Sequence, residues 1–375
     1  MSALDTIVVG AGAIGLGIAW RAAQRGQEVL VLDRGEPGHG ASFHAAGMLA
    51  PISEASFGED ALLALNLASA RCYPAFLEEL RAATGRALRS AAPGTLFVAR
   101  DRDQLEALAS LYELQVGLGL QVEWLDGGRC RDLEPALHPG VRAGVRAPEQ
   151  EVDPRELTAT LAAAVEAGGG RIRPGADVAR LLEAAGHAAG VELTTGEEIP
   201  AGSVVLAAGC WSGGIGGVPK EVAGAIRPVK GQILRLRTRP GEPPPIRHLV
   251  RTEEVYLVPR AGGEVVIGAT VEEQGFDTSL TGGGVYELLR AAIEVVPGVR
   301  ELELSEASVG LRPGSPDNAP LLGPAGPEGL VVATGHHRNG ILLTPVTAEA
   351  ICTVVTDGEV PEVISAFLPG RFAWR

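Results

Sequence analysis

Hydrophobic positions along the chain form two different patterns. Residues 6–9, 29–32 and 204–207 are short runs of mostly apolar residues rich in valine, and such runs predict strands buried on both faces of a parallel sheet. The stretches GQILRLRT, EVYLVPR and EVVIGATV, between residues 231 and 271, instead mix apolar and polar residues in alternation. Alternation of this kind predicts an antiparallel sheet with one buried face. Together the patterns indicate an α/β fold with two different sheets.

Helical patterns separate the predicted parallel strands. One helix is predicted from Ile14 to about Arg25, with Gly26 placed to end it. Another begins near Pro154 with Asp153 as its cap, and a hairpin follows it. A final helix is predicted after residue 343, with Thr344 as a candidate cap and Pro345 in the first turn.

The order of these patterns predicts two interleaved domains. The strand and helix segments of the first type fall in residues 1–78, 149–217 and 306–375, which we assign to an interrupted Rossmann-type domain. The intervening residues 79–148 and 218–305 are assigned to a second domain with a largely antiparallel sheet. A chain of 375 residues is long enough for two hydrophobic cores.

A glycine fingerprint follows the first predicted strand. Gly10, Gly12 and Gly15 have the GxGxxG spacing, and Asp33 ends the second strand. The first glycine permits the tight turn, the second lets the backbone approach a pyrophosphate, and the third lets helix and strand pack closely. Asp33 would accept hydrogen bonds from a ribose. Arg34 is interpreted as solvated or adenine-side, since Asp33 disfavours a 2′-phosphate.

The loop that follows distinguishes between dinucleotides. Residues 35–51 are rich in small residues and carry Ser42 and the run Ala46, Gly47, Met48. Such a loop can wrap a large flat ligand through its backbone. Ser42 would bind a phosphate and the run would lie against a ring system, which favours a flavin over a nicotinamide.

Composition limits the classes of partner. The formal net charge is −14 and 21% of the residues are charged, so we expect neither nucleic acid nor an anionic membrane as a partner. The N-terminus lacks the basic segment of a signal peptide, and the longest uncharged stretch is short of a membrane span. We therefore expect a cytoplasmic protein. The four cysteines are too scattered for a CxxC motif and are interpreted as free, buried thiols.

Six motifs in register resemble one known family. The fingerprint, AAGMLAP, RPVKGQ, VYLVPR, GLRPGSPDNAPLLG and GHHRNGILLTP are similar to those of the FAD-dependent D-amino-acid-oxidase superfamily, and within it to the glycine oxidase branch of thiamine biosynthesis. The resemblance covers nearly the whole chain. It implies that the interrupted domain is an FAD-binding domain and that the second is a substrate domain.

The resemblance also assigns residues to the cofactor. It implies noncovalent FAD with the pyrophosphate at Ala13 and Ile14, the ribose at Asp33 and Arg34, and the adenine at Val178. Ser42 and residues 46–48 would line the phosphate and the isoalloxazine. The ring would be cradled by the loop His336, His337, Arg338, Asn339, Gly340, Ile341 and Leu342. Adjacent histidines point apart and no cysteine or acidic ligands join them, so we expect no metal.

The implied reaction is oxidative deamination of glycine and similar small amines, such as sarcosine and small D-amino acids. A hydride would pass from Cα to flavin N5, giving an imine or oxo acid, ammonia and hydrogen peroxide. Arg312 would hold the substrate carboxylate, with Tyr256 and Arg338 nearby. Arg338 is equally compatible with a structural ion pair. The resemblance further implies molecular oxygen as acceptor and a homo-oligomer, a tetramer being expected.

Two alternative functions remain open from the sequence. One is a binding or tRNA-modifying module that kept the fold, although the acidic balance counts against RNA, and the other is a different oxidoreductase. A D-amino-acid dehydrogenase would pass electrons to a quinone or another acceptor instead of oxygen. Substrate preference is also open, because Glu254 and Val271 stand where relatives can carry histidine and methionine. Lys230 of RPVKGQ is interpreted as either a packing residue or a solvent residue, and no functional role is predicted for it.

Overall fold

The computed structural model describes residues 4–88, 90–91 and 94–372. The predicted domain ends at residues 1–3 and 373–375 lie outside this range. In chain order the strands are β1 Leu4–Val9, β2 Val29–Leu32, β3 Met48–Leu49, β4 Ser90–Ala91, β5 Thr95–Ala99, β6 Glu123–Asp126, β7 Ala143–Ala147, β8 Gln150–Val152, β9 Arg171–Arg173, β10 Val178–Ala184, β11 His187–Leu193, β12 Glu198–Leu206, β13 Arg227–Arg237, β14 Leu249–Arg251, β15 Tyr256–Arg260, β16 Glu264–Gly268, β17 Glu303–Gly314, β18 Leu321–Pro324 and β19 Leu330–Thr334.

The α-helices connect these strands. They are α1 Ala13–Gln24, α2 Ala41–His44, α3 Asp60–Thr84, α4 Arg102–Gly117, α5 Gly127–Leu133, α6 Pro154–Ala167, α7 Lys220–Ala223, α8 Gly282–Val295 and α9 Thr344–Asp357. Short 3-10 segments cover Gly209–Gly214, Pro297–Glu301, His337–Asn339, Glu362–Phe367 and Pro369–Phe372.

The first sheet has a parallel centre. Its strands follow the order β9, β2, β1, β12 and β19, all paired in parallel, and the β10–β11 hairpin and β18 extend it in antiparallel fashion. Strand β1 is buried on both faces: Val8 packs with α1, α3, α6 and α9, while Ile7 and Val9 pack with the hairpin side. The Rossmann-type prediction is therefore confirmed.

The second sheet is antiparallel except where β14 pairs with β5. Its order is β17, β13, β16, β15, β14, β5, β7 and β6. Alternation along β13 separates two surfaces, with Leu234 and Leu236 packed with α8, and Ile233 packed toward Ala46 of the first domain. The predicted α/β fold with a largely antiparallel second sheet is confirmed.

Two predicted domain boundaries fall inside single elements. Helix α3 continues past residue 78, and β17, which begins before residue 306, pairs with β13 along its length. The division into domains remains a prediction, but sheet membership places residues 306–314 with the second sheet.

Local predictions about helix ends had mixed outcomes. Asp153 caps α6, since its carboxylate accepts from the amides of Arg155 and Glu156. Thr344 is not a cap: Leu343 is the N-cap of α9, and the Thr344 hydroxyl donates to the Gly340 carbonyl at 2.9 Å. A hydroxyl in the first turn of a helix can donate to the carbonyl four residues earlier in the chain. The Thr344 hydroxyl makes this bond, and no side-chain cap bond is formed at the start of α9.

The cysteines differ in their exposure. Cys130, Cys210 and Cys352 are buried, as predicted, and burial raises the pKa of each thiol, to about 11, 12 and 11. Cys72 is exposed on α3, so the prediction of burial was wrong there. Helix α3 turns one face outward, which the cysteine pattern does not reveal.

Candidate functional site

The fingerprint glycines occupy positions that exclude side chains. Gly10 has φ +110°, and a Cβ there would lie 2.4 Å from the carbonyl oxygen of Ala207. A Cβ at Gly15 would lie 1.9 Å from the carbonyl oxygen of Gly10. The tight turn and the close helix–strand packing expected from the spacing are both present.

The N-terminus of α1 opens beside the loop that follows β2. The Ala13 amide donates to Ser42 Oγ at 3.0 Å, and a Cβ at Gly12 would meet only that hydroxyl, at 3.4 Å. The backbone at this helix end is therefore accessible: the Ala13 amide is held by Ser42, the next amides of the first turn have no intrahelical acceptor, and the positive end of the helix dipole is here. This is the arrangement that accepts a phosphate.

Asp33 organises the turn at the end of β2. Its Oδ2 accepts from the Ala11 amide at 2.6 Å and its Oδ1 from the Gly35 amide at 2.9 Å. Each carboxylate oxygen keeps further acceptor capacity, so the same side chain can still receive a hydroxyl.

Sequence reasoning missed an aromatic residue next to this turn. The Arg34 guanidinium lies 3.8 Å from the centroid of the Trp211 ring, a distance typical of a cation–π contact. Trp211 follows the carboxyl end of β12, and ligands bind at that edge of a parallel sheet. Its position shortly after the predicted strand at residues 204–207 was the sequence signal that could have identified it.

A single cavity of about 790 Å³ runs from this turn to the second sheet. Every predicted site residue except the packing glycine Gly15 lines it: Gly10, Gly12, Ala13, Ile14, Asp33, Arg34, Ser42, Ala46, Gly47, Met48, Val178, Tyr256, Arg312, His336, His337, Arg338, Asn339, Gly340, Ile341 and Leu342. Residues from both ends of the chain and from both sheets therefore meet at one site.

The small-residue loop is fixed from behind. The buried Arg260, at the end of β15, donates to the Ala46 carbonyl and pairs with Glu151. A Cβ at Gly47 would lie 1.9 Å from the Val152 carbonyl oxygen and 2.8 Å from Arg260 Nη2. Position 47 therefore requires glycine, and the loop presents backbone to the cavity.

The far end of the cavity is lined by two facing glycines. Gly231 on β13 pairs with Gly310 on β17, and neither covers the sheet with a side chain. Arg312 occupies this space: its Nη1 donates to the Thr270 carbonyl at 3.1 Å and to the Lys230 carbonyl at 3.4 Å. The remaining guanidinium donors stay available for a carboxylate.

Tyr256 lies beside Arg312. Burial raises the pKa of the Tyr256 hydroxyl, and the neighbouring Arg312 charge opposes part of that shift. The hydroxyl is therefore neutral near pH 7 and able to donate. A guanidinium and a phenol converge on one end of the cavity.

Arg338 has a protein partner. Its Nε lies 3.0 Å from Glu54 Oε2, while Glu54 Oε1 accepts from Arg251 Nη1 at 3.2 Å. Glu54 and Arg251 also line the cavity and were not predicted. The ion-pair interpretation of Arg338 is thus present in the structure, and one carboxylate is shared by two guanidinium groups.

The loop before α9 is held by α3. The Ser69 hydroxyl donates to the Leu342 carbonyl at 2.6 Å, and the Tyr73 hydroxyl donates to the Ile341 carbonyl. These bonds draw the carbonyls toward α3. The 3-10 turn His337–Asn339 and the residues that follow it up to Leu342, just before α9, therefore line the cavity.

Three histidines of the cavity are held neutral by their surroundings. Burial lowers the pKa of His336 to about 3, and burial together with nearby arginines lowers those of His44 and His337 to about 4. The Nδ1 atom of His44 is buried without a protein hydrogen-bond partner.

Glu254 and Val271, which stand where relatives can carry histidine and methionine, have different environments. Both Glu254 and Val271 line the cavity. Glu254 pairs with Arg290 at 3.2 Å on its outer side, and Val271 is 72% exposed. They therefore stand at the mouth of the cavity, where they contact solvent.

Across the described part of the chain, no group of three or more histidine, cysteine, aspartate or glutamate side chains is arranged to hold a metal ion. Within the same residues, no helix combines the length and apolar character that crossing a membrane requires.

Comparison with known proteins points to one family. Residues 5–353 match the model of the FAD dependent oxidoreductase family, DAO. The chain is 33% identical to the glycine oxidase of Geobacillus kaustophilus, over 97% of this chain and 96% of that protein. It is 34% identical to the bifunctional protein ThiO/ThiG of Trichormus variabilis, where 98% of this chain spans 55% of the relative, about half its length.

Solved structures give the same picture. The crystal structure of glycine oxidase from Geobacillus kaustophilus superposes with a TM-score of 0.90 at 31% identity, covering 99% of both chains. That of iminodiacetate oxidase from Chelativorans sp. BNC1 superposes with a TM-score of 0.85 at 27% identity, covering 97% of this chain and 98% of the other.

The residues of the cavity fit FAD. The accessible α1 amides and Ser42 suit a pyrophosphate, Asp33 suits a ribose, and the backbone around Gly47 leaves room for a flat ring. His44 also lines this space. A long cavity with phosphate-type donors at one end and a guanidinium at the other accommodates a dinucleotide and a small anion together.

Proposed function

The chain belongs to the family of FAD dependent oxidoreductases, and we propose that it oxidises glycine and similar small amines to an imine. Sarcosine and small D-amino acids belong to the same proposed substrate class. Hydrolysis of the imine gives an oxo acid and ammonia, or methylamine when the substrate is sarcosine, and oxygen is reduced to hydrogen peroxide. The bifunctional ThiO/ThiG relatives support a role in forming the thiazole of thiamine.

One observation carries this proposal. Arg312 and Tyr256 converge at one end of the cavity whose other end is the dinucleotide fingerprint. A guanidinium binds a carboxylate through two parallel hydrogen bonds, which fixes the position of the neighbouring Cα. Bound FAD supplies the acceptor for the hydride.

The residues of the chain itself orient the substrate and stabilise the negative charge that develops during the reaction. Arg312 holds the carboxylate and Tyr256 adds a neutral donor beside it. Backbone amides of the loop 336–342, which lines the cavity just before α9, provide donors that stabilise negative charge developing there. No acid–base side chain is required when the amine is bound neutral.

The test is turnover of glycine by the purified yellow protein in air. We expect peroxide in a one-to-one ratio with the glycine consumed. Glycine-dependent reduction of an artificial dye without peroxide would instead indicate the dehydrogenase. Arg312→Ala should raise KM for glycine by ~10²-fold or more while FAD stays bound, and Arg312→Lys should recover part of that loss because it keeps the charge.

A further inference from the structure

Lys230 is a buried cation that the proposed reaction does not use. Its side chain is 0% exposed although it lies on β13, next to Gly231 of the cavity. Alternation along the strand points Lys230 to the surface opposite Gly231 and Arg312. A buried lysine needs an anionic partner, because desolvation of an unpaired ammonium is costly.

The partners of Lys230 come from one segment, residues 269–281, between β16 and α8. Lys230 Nζ donates to Asp277 Oδ2 at 2.5 Å and lies 3.7 Å from Glu272 Oε2. Hydrogen bonds from Lys230 and Ser279 hold the pKa of Asp277 at about 2. We call residues 269–281 the strap.

Gln232 attaches the strap at two further points. Its Nε2 donates to Glu272 Oε1 at 2.8 Å and to Thr281 Oγ1 at 2.9 Å, and its Oε1 accepts from the Thr281 amide at 3.0 Å. The backbones of Lys230 and Glu272 also exchange two hydrogen bonds. The two ends of the strap are thus fixed to the same strand.

The strap contacts residues at both ends of the cavity. At the substrate end, the Thr270 carbonyl accepts from Arg312 Nη1 at 3.1 Å, and Val271 lines the cavity. At the dinucleotide end, the Phe276 ring lies 6.0 Å from the Trp211 ring, which carries Arg34. Phe276 and Leu280 are exposed, at 55% and 45%, so burial of their side chains contributes little to holding this part of the strap.

We infer that Lys230 is a positioning residue, which orders the strap through Asp277 and Glu272 and thereby fixes the Thr270 carbonyl that aims Arg312 at the substrate carboxylate. This inference rests on the proposed function of Arg312. The Lys230 carbonyl accepts from Arg312 Nη1, but this backbone contact is kept in every side-chain variant. Because the Lys230 side chain lies on the other surface of the sheet, its ammonium acts on the substrate only through the strap.

The test compares Asp277→Asn and Lys230→Met in the FAD-loaded enzyme. Both should raise KM for glycine on the order of tenfold while kcat changes less than about twofold, because misplacing a binding group weakens orientation. The visible spectrum of bound FAD should not change. Lys230→Arg should restore KM, because it keeps the positive charge. Ser279→Ala is the matched control, since it removes only the hydroxyl bond to Asp277, and its KM should stay that of the parent.

A second readout is independent of turnover. Chymotrypsin should cut the strap after Phe276 at least about tenfold faster in Asp277→Asn than in the parent enzyme, because open segments are cut in proportion to their population. Asp277 is partly exposed, so this variant keeps the test available should Lys230→Met not fold.

The outcomes separate the two proposals. Unchanged KM and unchanged cleavage would overturn the role of Lys230 while glycine oxidation by the parent enzyme stands. A higher KM without faster cleavage would also overturn the role of Lys230, because the change in KM would then not come from a loss of order in the strap. If the parent enzyme does not oxidise glycine, the proposed function fails, and cleavage alone still decides whether Lys230 orders the strap.

Discussion

The guanidinium of Arg312 lies directly over Gly231: a Cβ at position 231 would be 2.4 Å from Arg312 Nη1. Gly231→Ala should therefore displace the guanidinium and raise KM for glycine about tenfold or more, with FAD still bound. Steady-state kinetics with glycine measure the effect. Gly298→Ala is the control, since a Cβ there has no neighbour within 4 Å, and its KM should be unchanged.

Arg338 and Glu54 make a second prediction. Since Glu54 already engages the Arg338 guanidinium, Arg338→Gln should raise KM for glycine less than about fivefold, far less than Arg312→Ala. The kinetics of the two variants are compared under the same conditions. An effect of Arg338→Gln equal to that of Arg312→Ala would assign Arg338 to the substrate carboxylate.

Asp33 should control cofactor affinity. Asp33→Ala leaves the amides of Ala11 and Gly35 without their acceptor and removes the candidate ribose ligand, so the Kd for FAD should rise about tenfold to a hundredfold. Titration of apoprotein with FAD measures it. Asp5→Ala is a matched control, because Asp5 accepts an amide bond from Glu28 at the other end of β1. Equal losses in both variants would contradict a cofactor role for Asp33.

The cavity histidines predict how stability depends on pH. The pKa values of His44, His336 and His337 are lowered from 6.5 to about 4, 3 and 4, so the unfolded chain binds more protons below pH 6.5. The free energy of unfolding should be largest above pH 6.5 and fall as pH decreases toward 4, by up to ~1.4 kcal/mol per pH unit for each histidine.

Urea unfolding of the FAD-loaded protein between pH 7 and pH 4.5 measures this slope. His337→Asn should make it shallower, because one group whose pKa folding lowers is gone. Asparagine tolerates the positive φ of 45° at this position. A slope that is the same in the variant would mean that His337 does not contribute.

The sequence alone determined the parts of the site that are local along the chain. The packing of Gly15 on the Gly10 carbonyl and the capping of α6 by Asp153 depend on residues within a few positions of one another. Backbone sterics and hydrogen bonding over such short separations act the same way in any surrounding fold. The order of the motifs along the chain also indicated the family and its cofactor.

Only the tertiary structure decided which distant side chains meet. Glu54, Arg251 and Arg338 lie far apart in sequence and share one ion-pair network. Lys230, which the sequence left as a packing or solvent residue, is buried because a segment some forty residues later supplies its anions. Trp211 reaches Arg34 across the sheet edge. Pairing across such separations depends on how the two sheets dock, and no periodicity along the chain records that geometry.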